Sequence, residues 1–239
     1  MKAVIQCGGM GTRLRPYTSV LPKPLMPIGS RPVIELLLKW LRRNGIREVY
    51  ITTGYLGHLI RSFCGEGDQW NLKIRYTREV EPLGTIGPLS LIRDELTEPF
   101  LVLNGDVLTD LNMNRFVAAH RMHDGLVTIA TAYRTTKMDF GVIEEVGDVV
   151  KVFLEKPTLS HLVSMGLYCM NPSVLELIPS GVPYGFDDLM AQMLENGTGV
   201  HVYKHNGLWL DIGRVDDFQH AQDISWDEQS STGVSTVAA

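Results

Sequence analysis

Cysteine is scarce in this chain, and the few residues present lie far apart. Cys7, Cys64 and Cys169 are an odd number among 239 residues, with no Cys-x-x-Cys pair. That argues against a disulfide framework and against a zinc site, and it fits a reducing, cytoplasmic setting. Long apolar runs are also missing. No window approaches the roughly 18 apolar residues of a membrane span, and no basic segment with a leader-like stretch opens the chain, so neither spanning nor secretion is expected. Positive charge is in deficit, with a net charge of −5, which argues against a general nucleic-acid or anionic-membrane binder. The seven histidines show no metal-ligand spacing, and no Ser/His/Asp set stands out. Trp40, Trp70 and Trp226 form no stacking platform for bases, and there is no internal repeat.

What remains is a chain with 44% hydrophobic residues, enough for one substantial core and cramped for two. A single domain over residues 1–224 is expected, followed by a small, polar end at 225–239 that frays. Short apolar runs at Ala3–Ile5, Ile46–Thr52, Leu72–Tyr76 and Phe100–Leu103 alternate with helical spacing at Val33–Leu41, His58–Phe63 and Ile86–Leu96. This predicts an α/β fold with a mixed, mainly parallel central sheet flanked by helices. Ser30 is a candidate N-cap for the first helix, with Pro32 in its first turn and Gly45 ending it. Asp110 is a candidate N-cap for a helix near Asn112–His123. Further strands are expected at Leu126–Tyr133 and Val200–Tyr203, with a hairpin turn at Glu145–Asp148.

The chemistry is concentrated in one stretch. Gly8-Gly9-Met10-Gly11-Thr12-Arg13-Leu14-Arg15-Pro16 leaves the first apolar run, and Pro22-Lys23-Pro24 follows. Glycine lets backbone N–H groups approach an anion closely and adopt positive φ without strain. The dinucleotide fingerprint is not met, because Leu14 stands where its third glycine belongs, and no Gly-Lys-Ser/Thr follows for an ATPase P-loop. Arg13 and Lys23 beside exposed amides suit a substrate carrying several phosphates. At the end of Phe100–Leu103, Asn104-Gly105-Asp106 places a carboxylate at the carboxyl end of a strand, where ligands of open α/β sheets collect. Asp106 is therefore a candidate Mg²⁺ ligand.

Gly-Gly-x-Gly-Thr-Arg-Leu-x-Pro with a downstream Pro-Lys-Pro resembles the signature of the sugar-phosphate nucleotidyltransferases. Pro22-Lys23-Pro24-Leu25-Met26-Pro27-Ile28 is most similar to the mannose-1-phosphate or heptose-1-phosphate guanylyltransferase branch. The resemblance covers about residues 1–224 and implies a Rossmann-like domain, with no room here for the C-terminal β-helix that members often carry. It also implies Mg²⁺ as cofactor and a nucleoside triphosphate, GTP favoured, with a sugar-1-phosphate as substrates. By that resemblance Gly8, Gly9, Gly11, Thr12, Arg13 and Lys23 hold the triphosphate, while Glu81, Gly84 and Thr85 of Pro-Leu-Gly-Thr hold the base. Gly141, Glu155 and Lys156 hold the sugar phosphate, and Asp211 of Trp209-Leu210-Asp211-Ile212-Gly213 completes a metal clamp with Asp106. Arg13, Lys23 and Asp106 are the expected catalytic groups.

Two departures from the pattern stand out. Cys7 replaces the alanine usual before the glycines, and His161-Leu162-Val163 stands where a sugar-binding asparagine is usual. CTP, UTP or dTTP, and glucose-, heptose- or cyclitol phosphates, remain open, as does a non-catalytic NDP-sugar sensor, although the intact lysines and carboxylates argue against the sensor. Assembly is open too, a homodimer included.

Overall fold

The computed structural model describes residues 1–79 and 81–226. Val80 and the expected frayed end from 227 onward lie outside the described residues. Strand β1 (Ala3–Cys7) leads into a long loop carrying the short ladder of β2 (Pro27–Ile28) and β3 (Arg31–Pro32). Then come α1 (Val33–Arg43), β4 (Glu48–Thr53), α2 (Gly57–Cys64) and β5 (Lys73–Arg78). A 3-10 segment (Gly87–Glu95) precedes β6 (Phe100–Asn104), β7 (Val107–Thr109) and α3 (Met113–Arg121). The second half contributes β8 (Val127–Lys137), β9 (Val142–Val146), β10 (Val149–Leu154), β11 (Thr158–Met170), α4 (Phe186–Glu195), β12 (Val200–Lys204), β13 (Trp209–Asp211) and α5 (Val215–Gln222).

Seven strands form one sheet in the order β12-β8-β11-β6-β1-β4-β5. Within this sheet every ladder is parallel except those of β11, which runs against both β6 and β8. The mainly parallel α/β sheet expected from the sequence is thus present. Strand residues alternate between faces, and the core divides accordingly. Ala3, Ile5, Cys7, Leu101 and Leu103 pack with Leu37, Leu38 and Leu41 of α1, Ile60 of α2 and Phe116 of α3. Val4, Phe100 and Val102 face the other way, onto Ile86 and Leu89 near the 3-10 segment and Leu189 and Met193 of α4. Both faces are covered, which is why these strands are continuous apolar runs.

Several local expectations need correcting. Ser30 does not cap α1: Pro32 occupies the cap position in an extended conformation with no side-chain cap bond, and Ser30 turns between β2 and β3. The helix does end as expected, with Gly45 at φ 88, its N–H bonded to the Arg42 carbonyl at 3.2 Å and the Ile46 N–H to the Leu41 carbonyl at 3.1 Å, the Schellman closure that glycine favours. Asp110 is not the cap of α3. Asn112 takes that role, its Oδ1 accepting from the Arg115 N–H at 3.0 Å, while Asp110 pairs with His205 Nε2 at 2.8 Å. The stretch 86–96 is a 3-10 segment interrupted at Ile92, not an α-helix.

Candidate active site

Four chain segments leave the sheet at one edge: Gly8 after β1, Gly54 after β4, Glu79 after β5, and Gly105–Asp106 after β6. They border a cleft of about 680 Å³, within the usual size range for small-molecule sites. Glycine is required where these segments touch. A Cβ on Gly54 would lie 2.9 Å from the Gly8 carbonyl oxygen, and one on Gly105 would lie 2.7 Å from Cys7 Sγ. Cys7 lies beneath the loop with its thiol pushed well up, chiefly by burial, so it is no nucleophile.

The loop from Gly8 folds as three short 3-10 turns, at Thr12–Leu14, Tyr17–Ser19 and Lys23–Leu25. Gly11 enters the first turn at φ 61, and Thr18 Oγ1 donates to its carbonyl at 2.8 Å. This doubling back carries Lys23 to Asp106, with which it forms an ion pair. Asp211 arrives from the far end of the chain through β13, which pairs with β7 in the register Asp211↔Val107. The Ile212 N–H donates to the Asp106 carbonyl at 2.9 Å, so a three-residue ladder sets the two carboxylates side by side. Arg13 reaches Asp211 at 3.9 Å. Gly213 marks the meeting point: a Cβ there would lie 2.8 Å from Lys23 Nζ, 2.9 Å from Asp211 Oδ1 and 3.0 Å from an Arg13 guanidinium nitrogen. Gly213 was not among the expected site residues, although a glycine two positions after the candidate metal carboxylate Asp211 was a usable signal of close approach.

Burial, and then the neighbouring Asp106 charge, hold the Asp211 carboxyl above its ordinary range. Two adjacent carboxylates disfavour joint ionisation unless a cation sits with them. This oxygen pair fits Mg²⁺, which is typically held by one or two carboxylates plus substrate phosphates and water. Among the described residues no cluster of three or more His, Cys, Asp or Glu side chains is placed to hold a metal, so the remaining ligands would come from substrate.

Where β5 runs into the 81–85 turn, the structure distinguishes two glutamates. Glu81 is exposed, whereas Glu79 borders the cleft. The Glu79 N–H remains in strand register, bonded to the Thr53 carbonyl at 3.0 Å, and its Oε2 accepts from the Leu83 N–H at 2.9 Å. Burial raises its pKa. Gly84 and Thr85 border the cleft, and both are also fixed to the fold. Gly84 adopts φ 79 against the Tyr184 backbone. Thr85 Oγ1 accepts from the Phe186 N–H at 2.8 Å, and its carbonyl accepts from Gln6 Nε2.

Gly141, Glu155 and Lys156 gather elsewhere. β8 and β11 pair from Thr158↔Lys137 to Ser164↔Thr131 beyond the point where Leu167 meets Leu103 of β6, so together they project past the cleft edge of the sheet as a two-stranded arm. The hairpin of β9 and β10 lies between them in sequence. Phe153 packs against Gly141, where a Cβ would come within 2.7 Å of its ring, and Glu155 pairs with Lys156 at 3.9 Å. Both charged side chains are exposed, and neither is paired with the Arg13, Lys23, Asp106 and Asp211 group. The structure thus brings the loop and the two aspartates together and leaves this trio on the arm.

The nucleotidyl transferase family profile matches residues 2–227. Mannose-1-phosphate guanylyltransferase 1 of Arabidopsis thaliana is 34% identical over 91% of this chain and 63% of its own length. The UTP–glucose-1-phosphate uridylyltransferase of a Synechocystis strain is 32% identical over 92% of this chain and 62% of its length. The chain therefore spans less than two thirds of these relatives. Among solved structures, HddC from Yersinia pseudotuberculosis complexed with GMP-PN superposes with a TM-score of 0.72 at 23% identity, covering 92% of this chain and 97% of that one. That likeness concerns the fold.

Proposed function

The chain belongs to the nucleotidyl transferase family, and we propose that it transfers a nucleoside monophosphate, GMP from GTP, to a sugar-1-phosphate. The products would be an NDP-sugar and pyrophosphate. The observation that carries this reading is the convergence of Arg13, Lys23 and Asp211 around Gly213, with Lys23 paired to Asp106 where both line the cleft. A sugar-phosphate oxygen attacks the α-phosphorus as the bond to the β-phosphate oxygen breaks. The attacking group is already an anion, so no protein nucleophile is needed. The barrier lies in bringing two polyanions together, which positioning and fixed cations lower.

Lys23 neutralises the α-phosphoryl oxygens, and Arg13 with the Gly8–Gly11 amides receives the departing pyrophosphate. Asp106 and Asp211 would hold Mg²⁺, which supplies charge neutralisation between the phosphates. Lys156, with Gly141 and Glu155, receives the sugar phosphate from the arm. GTP is favoured because Glu79 offers a half-buried carboxylate to the cleft, and guanine presents two donors, N1–H and the N2 amine, to such an acceptor. The guanylyltransferase relatives point the same way.

The test is a matrix of nucleoside triphosphates against sugar-1-phosphates, scored by pyrophosphate release with Mg²⁺. GTP with mannose-1-phosphate is expected to lead, and Asp106→Asn or Lys23→Ala to lower turnover on the order of 10²–10³-fold. Near-full turnover in either variant, or tight NDP-sugar binding with no pyrophosphate release from any pair, would sink the mechanism.

A further inference from the structure

Behind β13, away from the cleft, Asp217 is a carboxylate only 5% exposed in the first turn of α5. Arg134 grips it with both arms of its fork, NH1 donating to Oδ1 at 2.9 Å and NH2 to Oδ2. The same Oδ2 accepts the backbone N–H of Asp211 at 2.8 Å. The Arg134 guanidinium also lies 4.3 Å from the Trp209 ring centre, and Trp209 Nε1 donates to the Met165 carbonyl at 3.0 Å. None of these groups borders the cleft.

We propose that Asp217, locked by Arg134, is the positioning residue for Asp211, fixing the end of β13 so that the Asp211 carboxylate stands beside Asp106. The inference rests on the reading of Asp211 as half of the metal clamp. β13 is three residues long and, among the described residues, pairs only with β7, and an isolated two-stranded ladder of that size holds its ends weakly. A bidentate guanidinium–carboxylate pair is directional as well as strong, and here it fixes the last strand N–H before the carboxylate. Arg134 also compensates the charge of Asp217, a buried carboxylate that would otherwise stand unpaired. Its position on β8, opposite His161 midway along the arm that carries Gly141, Glu155 and Lys156, joins three elements at one fork: arm, α5 and β13.

The experiment measures binding of Mn²⁺ with the nucleoside triphosphate the chain turns over fastest, followed by water-proton relaxation, alongside calorimetric binding of the same triphosphate in EDTA. Asp217→Asn and Arg134→Lys are each expected to weaken the Mn²⁺-dependent binding about tenfold, the lower end for residues supporting metal ligands, while metal-free binding stays unchanged. Asp211→Asn should lose the same metal-dependent part, and adding Asp217→Asn to it should cost nothing more. Should Asp217→Asn fail to fold, Arg134→Lys, which keeps the charge and loses the fork, carries the same comparison. If Asp211→Asn leaves Mn²⁺ binding intact, the metal reading of Asp211 is wrong and the proposal goes with it. If Asp211→Asn weakens Mn²⁺ binding but the Asp217 and Arg134 variants do not, or their losses persist in full beside Asp211→Asn, only the positioning proposal is overturned.

Discussion

Glu79 carries the sharpest residue-level consequence. Its Oε2 is engaged by the Leu83 N–H, which leaves Oε1 as the acceptor for a base. In Glu79→Gln the amide oxygen would take the Leu83 bond and turn an NH₂ toward guanine's own donors. Losing a hydrogen bond to a charged group costs about 1.5–3 kcal/mol, so the KM for GTP is expected to rise about 10- to 100-fold with kcat little changed. Burial raises the Glu79 pKa, and the ionised form is the acceptor. GTP KM should therefore climb as pH falls, beginning above the range where a free glutamate titrates, and this acid limb should vanish in Glu79→Gln. The linkage to folding has the opposite sign: a carboxyl raised in the folded state favours folding as pH falls and loses that contribution as pH rises through its folded value. An unchanged KM and an unchanged acid limb would place the base elsewhere. The family resemblance pointed to Glu81 for the base, whereas Glu81 is exposed and Glu79 borders the cleft. Glu79 faces inward because its N–H is still paired with Thr53, a contact that spacing does not encode.

Among elements, those with their own periodicity were legible and those shaped by distant partners were not. α1 follows from Leu37, Leu38 and Leu41 and its glycine stop. Asp110 looked like a cap because nothing nearby announces His205, which claims it from 95 positions away. The 3-10 segment at Gly87–Glu95 looked helical, yet the N–H groups of Ile86 and Gly87 both go to the Tyr184 carbonyl, at 3.1 and 3.0 Å, and its start is set by that junction. Gly84 is the pivot of this junction, at φ 79 with a Cβ position 2.7 Å from the Tyr184 carbonyl oxygen. Gly29, at φ 58, has no atom within 4 Å of its Cβ position. Alanine at either site incurs the positive-φ penalty, of order 1–3 kcal/mol, and only Gly84→Ala adds a backbone collision. Gly84→Ala should lower Tm by roughly 3–10 °C, and by more than Gly29→Ala, as read by calorimetry. Equal shifts would mean that the 83–87 junction yields freely.

For the molecule as a whole, strand–helix alternation foretold the parallel half of the sheet but not the reversal at β11. The stretch between β8 and β11 contains a hairpin and no crossover helix, and strands so joined run antiparallel. That reversal puts β11 beside β6 and makes one core continuous from Ala3 to Cys169. All three cysteines belong to that core: Cys7 from β1, Cys64 from α2 and Cys169 from β11. Burial holds each thiol protonated, with Cys64 and Cys169 pushed up to about 12, and thiolate is the form that reacts. In the native protein at pH 8, none should react with an aromatic disulfide reagent over an hour. A chain of this length need not unfold in one step, but opening the sheet at any of the three positions exposes the cluster shared by the other two. In a urea series, labelling at Cys7, Cys64 and Cys169, resolved by peptide mass, should therefore appear at one midpoint that coincides with loss of far-ultraviolet circular dichroism. Earlier labelling at Cys169 alone would show that β11 and its arm open as a unit separate from the parallel strands, and that the carboxylate clamp and the arm rest on independently stable halves.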